Sequence, residues 1–305
     1  MRRCLQLAGY GRGFVAPNPM VGAVIVRDDK IIGEGFHRKY GEAHAEVNAV
    51  NSVADQSLLS DSTLYVNLEP CSHYGKTPPC AELIIKKQIP RVVVGLQDPY
   101  SEVSGRGIRM LREAGVEVVT EVLQDECSLL NNRFLTFINN KRPYIILKWA
   151  ESNDGYMDNI RIPGDGKHAV RFSDFFTQTA VHKMRAEESA IMVGTNTALL
   201  DKPMLNVRFW SGLDPLRITA DKDLPQIMDE LYRQKIQSLI VEGGAKLLES
   251  FISEGLWDEA RIETADFSLG SGIKSPVLSG ELFDVRKCEK SIISLYKNVL
   301  YTKNL

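Results

Sequence analysis

The stretch His44-Ala45-Glu46, followed by Pro70-Cys71-Ser72-His73-Tyr74-Gly75-Lys76-Thr77-Pro78-Pro79-Cys80, decides how the first half of this chain reads. It offers one imidazole, two thiols and a carboxylate that is not required as a ligand. Those are the parts of a hydrolytic zinc site with one coordination position left open. A helix beginning at His44 points one ring nitrogen at the metal, and Glu46, two residues on, points elsewhere, toward a bound water. Cys71 falls where a strand gives way to a loop, and Cys80 where a loop gives way to a helix. A structural zinc would need a fourth protein ligand, and only His73 or Glu46 could supply it.

His-x-Glu with Pro-Cys is the signature of zinc deaminases, in which the metal activates water and the glutamate moves protons. Zinc lowers the pKa of its water to about 7, and Glu46 would act first as general base and then as general acid. The two cysteines stand in a Cys-x8-Cys arrangement rather than the usual Cys-x2-Cys. The longer loop carries His73, Lys76 and Thr77, which can neutralise and hydrogen-bond a phosphate.

Outward from this stretch, strands alternate with helices. Strands are expected at 21–26, 31–36, 63–68, 91–95 and 116–119, and helices at 2–9, 44–53, 81–87, 107–114 and 125–140. The first two strands form a hairpin around Asp28-Asp29, and the rest imply a largely parallel sheet. Asn139-Asn140-Lys141-Arg142-Pro143 is a polar, proline-ended break. It divides the chain into domains at 1–140 and 141–305. In the second domain, 190–193 and 238–241 read as buried strands, each followed by glycine. Gly243-Gly244 then leads into a helix over 245–252, a place where backbone can approach a phosphate. No Gly-x-Gly-x-x-Gly fingerprint is present.

The bulk numbers bound the function class. A net charge of −2 without a long basic block argues against a dedicated nucleic-acid binder. No apolar run reaches the length of a membrane span. Five scattered cysteines read as a reduced, cytoplasmic protein, with Cys4 a core residue. His168 and His182 read as surface residues.

Larger motifs carry a family resemblance. Pro17-Asn18-Pro19-Met20-Val21-Gly22-Ala23-Val24, Gly41-Glu42-Ala43-His44-Ala45-Glu46-Val47, Leu68-Glu69-Pro70-Cys71 through Cys80, and Gln97-Asp98-Pro99 resemble the bacterial bifunctional riboflavin-biosynthesis deaminase/reductase. Leu147-Lys148, Asn153-Asp154-Gly155, Arg185-Ala186, Val193-Gly194-Thr195, Asp201 through Arg208, and Val241-Glu242-Gly243-Gly244 resemble its reductase half.

The resemblance implies an α/β chain: a cytidine-deaminase-like α/β/α domain followed by a dihydrofolate-reductase-like α/β domain. It implies zinc held by His44, Cys71 and Cys80, and hydrolytic removal of the 2-amino group of 2,5-diamino-6-(5-phosphoribosylamino)pyrimidin-4(3H)-one. Asn18 would hold the base or ribose, and His73 and Lys76 the phosphate. It then implies NADPH reduction of the ribosyl group to ribityl, by hydride delivery to C1′ of the opened sugar. Thr197, Asp201 and Gly244 would contact NADP(H). Lys148, Arg185, Leu205, Arg208 and Glu242 would contact the substrate. Spacing alone fits Asn18 equally to an Asn-Pro turn, and Arg185 and Arg208 to surface charges. The partner is a phosphorylated pyrimidine, with no nucleic acid and no membrane, and a homo-oligomer, dimer or tetramer, is implied.

Two departures stand out. The tryptophan-containing segment that the family carries after Asp-Gly is replaced by Gly166-Lys167-His168-Ala169-Val170-Arg171-Phe172-Ser173. Pro215 to Asp221 also runs almost directly into Leu224, where the family has further strand and helix. The reductase half is therefore either shortened or missing a segment, and the chain begins abruptly at its first helix. The alternative reading is a nucleoside or tRNA deaminase with a non-catalytic C-terminal binding or dimerisation domain. A closed, purely structural zinc scaffold is opposed by the spare Glu46.

Overall fold

The computed structural model describes residues 1–74, 78–99, 105–162 and 166–299. The chain separates into two compact units, Met1–Asn140 and Lys141–Leu305.

The first unit begins with α1 (Arg2–Gly9), then the hairpin β1 (Gly22–Arg27) and β2 (Lys30–Phe36). Asp28 and Asp29 make the turn, both at positive φ, a conformation aspartate tolerates better than most residues. Helix α2 (Ala45–Ser52), a 3₁₀ turn at Gln56–Asp61, β3 (Thr63–Leu68), α3 (Cys80–Lys86), β4 (Arg91–Leu96), α4 (Arg106–Glu113) and β5 (Glu117–Val119) follow. The sheet order is β2-β1-β3-β4-β5. The β1 pairings are antiparallel, and β3-β4-β5 run parallel. Ala23, Ile25, Leu64, Val66, Val92 and Val94 alternate along their strands to face one core with Ala49, Val50, Ile84 and Leu111 of the helices.

The closing segment differs from the single helix expected over 125–140. It is two helices, α5 (Gln124–Leu130) and α6 (Asn132–Asn140). Asn131 stands between them as the C-cap of α5, and its buried side-chain amide is used elsewhere. Its Oδ1 accepts from Met20 N at 2.8 Å and its Nδ2 donates to Met20 O at 3.0 Å. Asn67 joins the same clamp, donating to Met20 O and accepting from Gly22 N at 2.7 Å. Two asparagines far apart in sequence thus fix the backbone directly after Asn18-Pro19.

The second unit contains β6 (Tyr144–Glu151), β7 (Tyr156–Asp158), α7 (Phe175–Glu187), β8 (Ala190–Gly194), α8 (Thr195–Asp201), β9 (Leu216–Ala220) and α9 (Leu224–Arg233). It closes with β10 (Ser238–Val241), α10 (Ala245–Ser253), β11 (Glu259–Ala265), β12 (Ile273–Lys274), β13 (Glu281–Lys287) and β14 (Ser291–Lys297). Seven strands order as β13-β14-β11-β6-β10-β8-β9, and β7 and β12 form a separate ribbon. The strands from β11 to β9 are parallel, and β13 and β14 add an antiparallel edge.

Period-2 alternation divides the residues of this sheet between its faces. Ile145, Leu147, Trp149, Met192, Leu239, Val241 and Ile262 pack with α9 and α10. Ile191, Val193 and Ile240 face the other way, with Met184 and Ala198. Lys148, Arg261 and Glu263 alternate with that first core and so share the second face. Asp221, Lys222 and Asp223 join β9 to α9, and the Asp223 side chain caps the helix.

Candidate metal centre and dinucleotide cleft

In the first unit, His44 is the N-cap of α2 and Cys80 the first residue of α3, and Cys71 lies just beyond β3. Gly35 lets α2 sit close on β2, since a Cβ there would overlap the backbone N of Ala49. The His44 Nδ1 lies 3.4 Å from Cys80 Sγ and 3.6 Å from Cys71 Sγ. The three donor atoms lie within 4.8 Å of one another. Metal bonds of about 2.3 Å to sulfur and 2.0 Å to nitrogen at tetrahedral angles place S and N about 3.5 Å apart. The donor set and its spacing therefore fit a single zinc ion with a fourth position free.

Glu46, in the first turn of α2, is buried at 3% exposure. Burial, reinforced by the charge of Cys71, pushes its carboxyl up to about 7. The Cys71 thiol is lowered to about 4, chiefly by hydrogen bonding from Cys80 and also by His44. The hydrogen bond to Cys71 raises the His44 pKa.

Asn18 is joined to this centre through His37. The buried His37 ring packs edge-on to His44, with centroids 5.5 Å apart. Its Nδ1 lies 3.1 Å from the Ala43 carbonyl, which can only accept, so Nδ1 carries the proton. Nε2 then accepts from Asn18 Nδ2 at 3.0 Å, and Asn18 Oδ1 is left for another partner. Burial lowers the His37 pKa, in keeping with a neutral ring. His73 is exposed on the loop after Cys71. Lys76 and Thr77 lie outside the described residues.

One residue with no role assigned from sequence supports this mouth. Glu69 is buried, and its carboxylate accepts four backbone N–H groups. Oε1 takes Gly107 at 2.9 Å and Ile108 at 3.2 Å, and Oε2 takes Gly105 at 3.0 Å and Asp98 at 3.1 Å. A carboxylate in a Glu-Pro-Cys sequence preceding a metal ligand is the signal that could have marked it.

In the second unit, a cleft of about 660 Å³ lies beyond the C-terminal ends of β6, β10, β8 and β9. Lys148, Thr197, Asp201, Glu242 and Gly244 all line it. Gly243 brings the backbone close to Leu247, since a Cβ would come within 2.9 Å of that side chain. The N-terminus of α10 at Gly244 opens on the cleft, a fit for the diphosphate of a dinucleotide.

Arg185 holds Glu242 by two hydrogen bonds, of 3.0 and 2.7 Å, and Lys148 is 3.9 Å from the same carboxylate. Burial alone would raise the Glu242 pKa, but Lys148, Arg185 and Arg261 hold it down at about 2. Burial lowers that of Lys148. The guanidinium of Arg185 is thus already paired. It also donates to the Asn206 carbonyl at 3.3 Å, which ties it to the loop containing Leu205, buried at positive φ. Arg208 is exposed, stacked over Phe209 and bonded to Asn206 Oδ1. Leu205, Arg208 and Arg185 are not among the residues lining the cleft.

The surface reading of His182 is corrected: it is 3% exposed, under Phe209. Helix position alone gave no sign of the aromatic loop that covers it. His168 is exposed. Phe172, from the segment that lacks tryptophan, lines the cleft and stacks on Phe267.

Residues 1–96 match the model of the cytidine and deoxycytidylate deaminase zinc-binding region. The RibD C-terminal domain model matches over 143–224 and again over 216–301. A riboflavin biosynthesis protein RibD of Aquifex aeolicus is 35% identical over 338 residues, covering 96% of this chain and 92% of that protein. The RibD of Bacillus amyloliquefaciens is also 35% identical, over 94% and 89% of the two chains.

A solved diaminohydroxyphosphoribosylaminopyrimidine deaminase/5-amino-6-(5-phosphoribosylamino)uracil reductase from Thermotoga maritima superposes with a TM-score of 0.87. It is 32% identical and covers 98% of this chain and 97% of its own. Acinetobacter baumannii RibD gives 0.87 at 31% identity, covering 97% of each chain. The 338-residue alignment exceeds this 305-residue chain, and the two reductase-domain matches overlap at 216–224.

Proposed function

The chain belongs to the RibD family of riboflavin biosynthesis proteins, and we propose that it removes the 2-amino group of 2,5-diamino-6-(5-phosphoribosylamino)pyrimidin-4(3H)-one and then reduces the ribosyl side chain. It is a deaminase and a reductase in one chain, a cytidine-deaminase-like unit followed by a reductase unit of the RibD type. The domain limits that suit these roles are 1–140 and 141–305.

The observation that carries the first activity is the set of three donor atoms at tetrahedral spacing with a buried carboxylate, Glu46, beside them. His44, Cys71 and Cys80 would hold a zinc ion, which would supply a water of pKa about 7. Glu46, buried beside these ligands, would accept a proton from water and hand it to the ring nitrogen and then to the departing ammonia. Asn18, oriented through its Nδ2 by His37, turns its Oδ1 to the substrate base or ribose. His73 and Lys76 neutralise the phosphate.

In the second unit, Thr197, Asp201 and Gly244 hold the reduced dinucleotide, NADPH by resemblance. Lys148 and Glu242 meet the sugar and base, and Arg185, Leu205 and Arg208 close the substrate end. The dinucleotide would supply hydride to C1′ and leave oxidised, the C1′–O4′ bond would open, and O4′ would take up a proton from solvent water. The five cysteines, all unpaired, support a cytoplasmic protein. Among the described residues no helix is long and apolar enough to cross a membrane. A dimer or tetramer is the assembly we favour.

Ammonia release and dinucleotide oxidation measured on one zinc-loaded preparation test the whole reading. Glu46→Gln should lower ammonia release by roughly 10²–10⁴-fold with zinc retained, while reduction of separately supplied deaminated substrate continues. Undiminished ammonia release in that variant would refute the role of Glu46.

A further inference from the structure

One buried arginine ties together the wall of the second unit's cleft on the α8 side. Arg161 follows β7, and its side chain is 8% exposed. Its Nε donates to Asp158 Oδ2 at 2.7 Å, and its Nη2 pairs with Asp201 Oδ1 at 2.7 Å. Asp158 ends β7 and Asp201 ends α8, so a single guanidinium joins the β7–β12 ribbon to α8. Asp158 Oδ1 accepts from Val170 N at 3.0 Å, which brings in the segment that lacks the family's tryptophan. Asp158, Arg161, Val170 and Asp201 all line the cleft.

Two carboxylates around one guanidinium leave a negative charge over, so this corner suits a hydroxyl donor rather than a phosphate. The other cations nearby do not share the pair. Lys202 is exposed and is not among the residues lining the cleft. Arg217, exposed on β9, donates from Nη1 to the Met204 carbonyl at 3.1 Å. The Asp201 side chain is 26% exposed, and among the described residues no donor is hydrogen-bonded to its Oδ2. Thr197 and Asp201 stand four residues apart on one face of α8. A Cβ on Gly244 would come 3.6 Å from Thr197 Oγ1. A diphosphate at Gly244 therefore brings its attached ribose along α8 toward Asp201, about 6 Å on.

We propose that Arg161 is a positioning residue for the dinucleotide: it fixes Asp201 through Oδ1 so that Oδ2 accepts from a ribose hydroxyl. The proposal rests on the cleft being the dinucleotide site and on Asp201 being a contact within it. Without the guanidinium, Asp158 and Asp201 repel each other, and the Asp201 side chain loses the orientation the hydroxyl needs. Lysine would keep the charge but not the fork that reaches both carboxylates.

The test is titration of the full-length, zinc-loaded protein with NADPH, followed by nucleotide fluorescence. Asp201→Asn and Arg161→Met should each weaken binding about tenfold, the loss of roughly one charge-assisted hydrogen bond. Arg161→Lys should weaken it about fivefold. Combined with Asp201→Asn, neither Arg161 substitution should add more than about twofold, because both act through one contact. A residue that only stabilised the fold would give additive losses, and additive losses would overturn the proposal. So would NADPH affinity within about twofold of the unaltered protein in both Arg161 variants. If Arg161→Met does not fold, Arg161→Lys, alone and combined with Asp201→Asn, carries the same comparison. Unchanged affinity in Asp201→Asn would be a different failure: it would take Asp201 out of the site, and the proposal with it.

Discussion

Replacing Glu69 by glutamine changes one atom of a buried side chain, and its cost can be worked from four distances. Each carboxylate oxygen accepts two backbone N–H groups, at 2.9 to 3.2 Å. Whichever way the glutamine amide is turned, its NH2 faces two donors and satisfies neither. Two hydrogen bonds to a charged acceptor, worth about 1.5–3 kcal/mol each, are lost, and two N–H groups are left buried. The expected destabilisation of the first unit is about 3–6 kcal/mol, a large part of the stability of a domain this size. At roughly 3 °C per kcal/mol, its melting temperature should fall by about 10 °C or more.

All three tryptophans, Trp149, Trp210 and Trp257, lie in the second unit. Urea unfolding followed in parallel by tryptophan fluorescence and far-UV circular dichroism therefore separates the units. The fluorescence transition should stay where it is, and a dichroism transition should move to lower urea. Zinc should dissociate faster, because Pro70 and Cys71 follow Glu69 directly. A dichroism midpoint shifted by less than the equivalent of 1 kcal/mol would refute the reasoning.

Three further outcomes are expected. Gly107→Ala places a Cβ against the Pro70 carbonyl, so it should destabilise the first unit by about 1–3 kcal/mol and accelerate zinc loss, read by a chromogenic chelator. Asp258→Asn breaks a buried bidentate pair with Arg142, bonded at 2.6 and 2.9 Å. It should cost the second unit about 3–5 kcal/mol in urea unfolding read by tryptophan fluorescence. Burial, with Arg185 and Arg208 nearby, lowers the His182 pKa to about 4, below the usual 6.5. The unfolded chain therefore binds the proton first as pH falls. The second unit should lose about 3 kcal/mol between pH 6.5 and 4 through this residue and recover it as pH rises, a slope absent from His182→Phe.

Much of the architecture could be read locally. The strand at 63–68 was expected at its observed limits, and the hairpin around Asp28-Asp29 and the buried strands near 190 and 238 were legible from residue type. Alternation and turn residues report on neighbours two to four positions away, and those are present in the sequence. His44, Cys71 and Cys80 could be named as a set from ligand chemistry alone. The short β9–α9 connection was visible too, although only the structure shows Asp223 capping the helix that follows.

What sequence left open depends on partners distant along the chain. The side-chain amide of Asn131 is buried and satisfied because Met20, 111 residues away, meets it. His182 is buried because Phe209 covers it. Arg185 is a paired charge rather than a free one because Glu242, 57 residues on, reaches it. By itself the sequence determined most elements of the first unit, the buried strands near 190 and 238 in the second, which residues can bind a metal and where the chain divides between expected roles. Tertiary structure decided which polar groups are satisfied, which charges are spent and which remain for a ligand. Hydrogen bonding and desolvation act over a few ångströms of space, and the sequence records neighbours only along the chain.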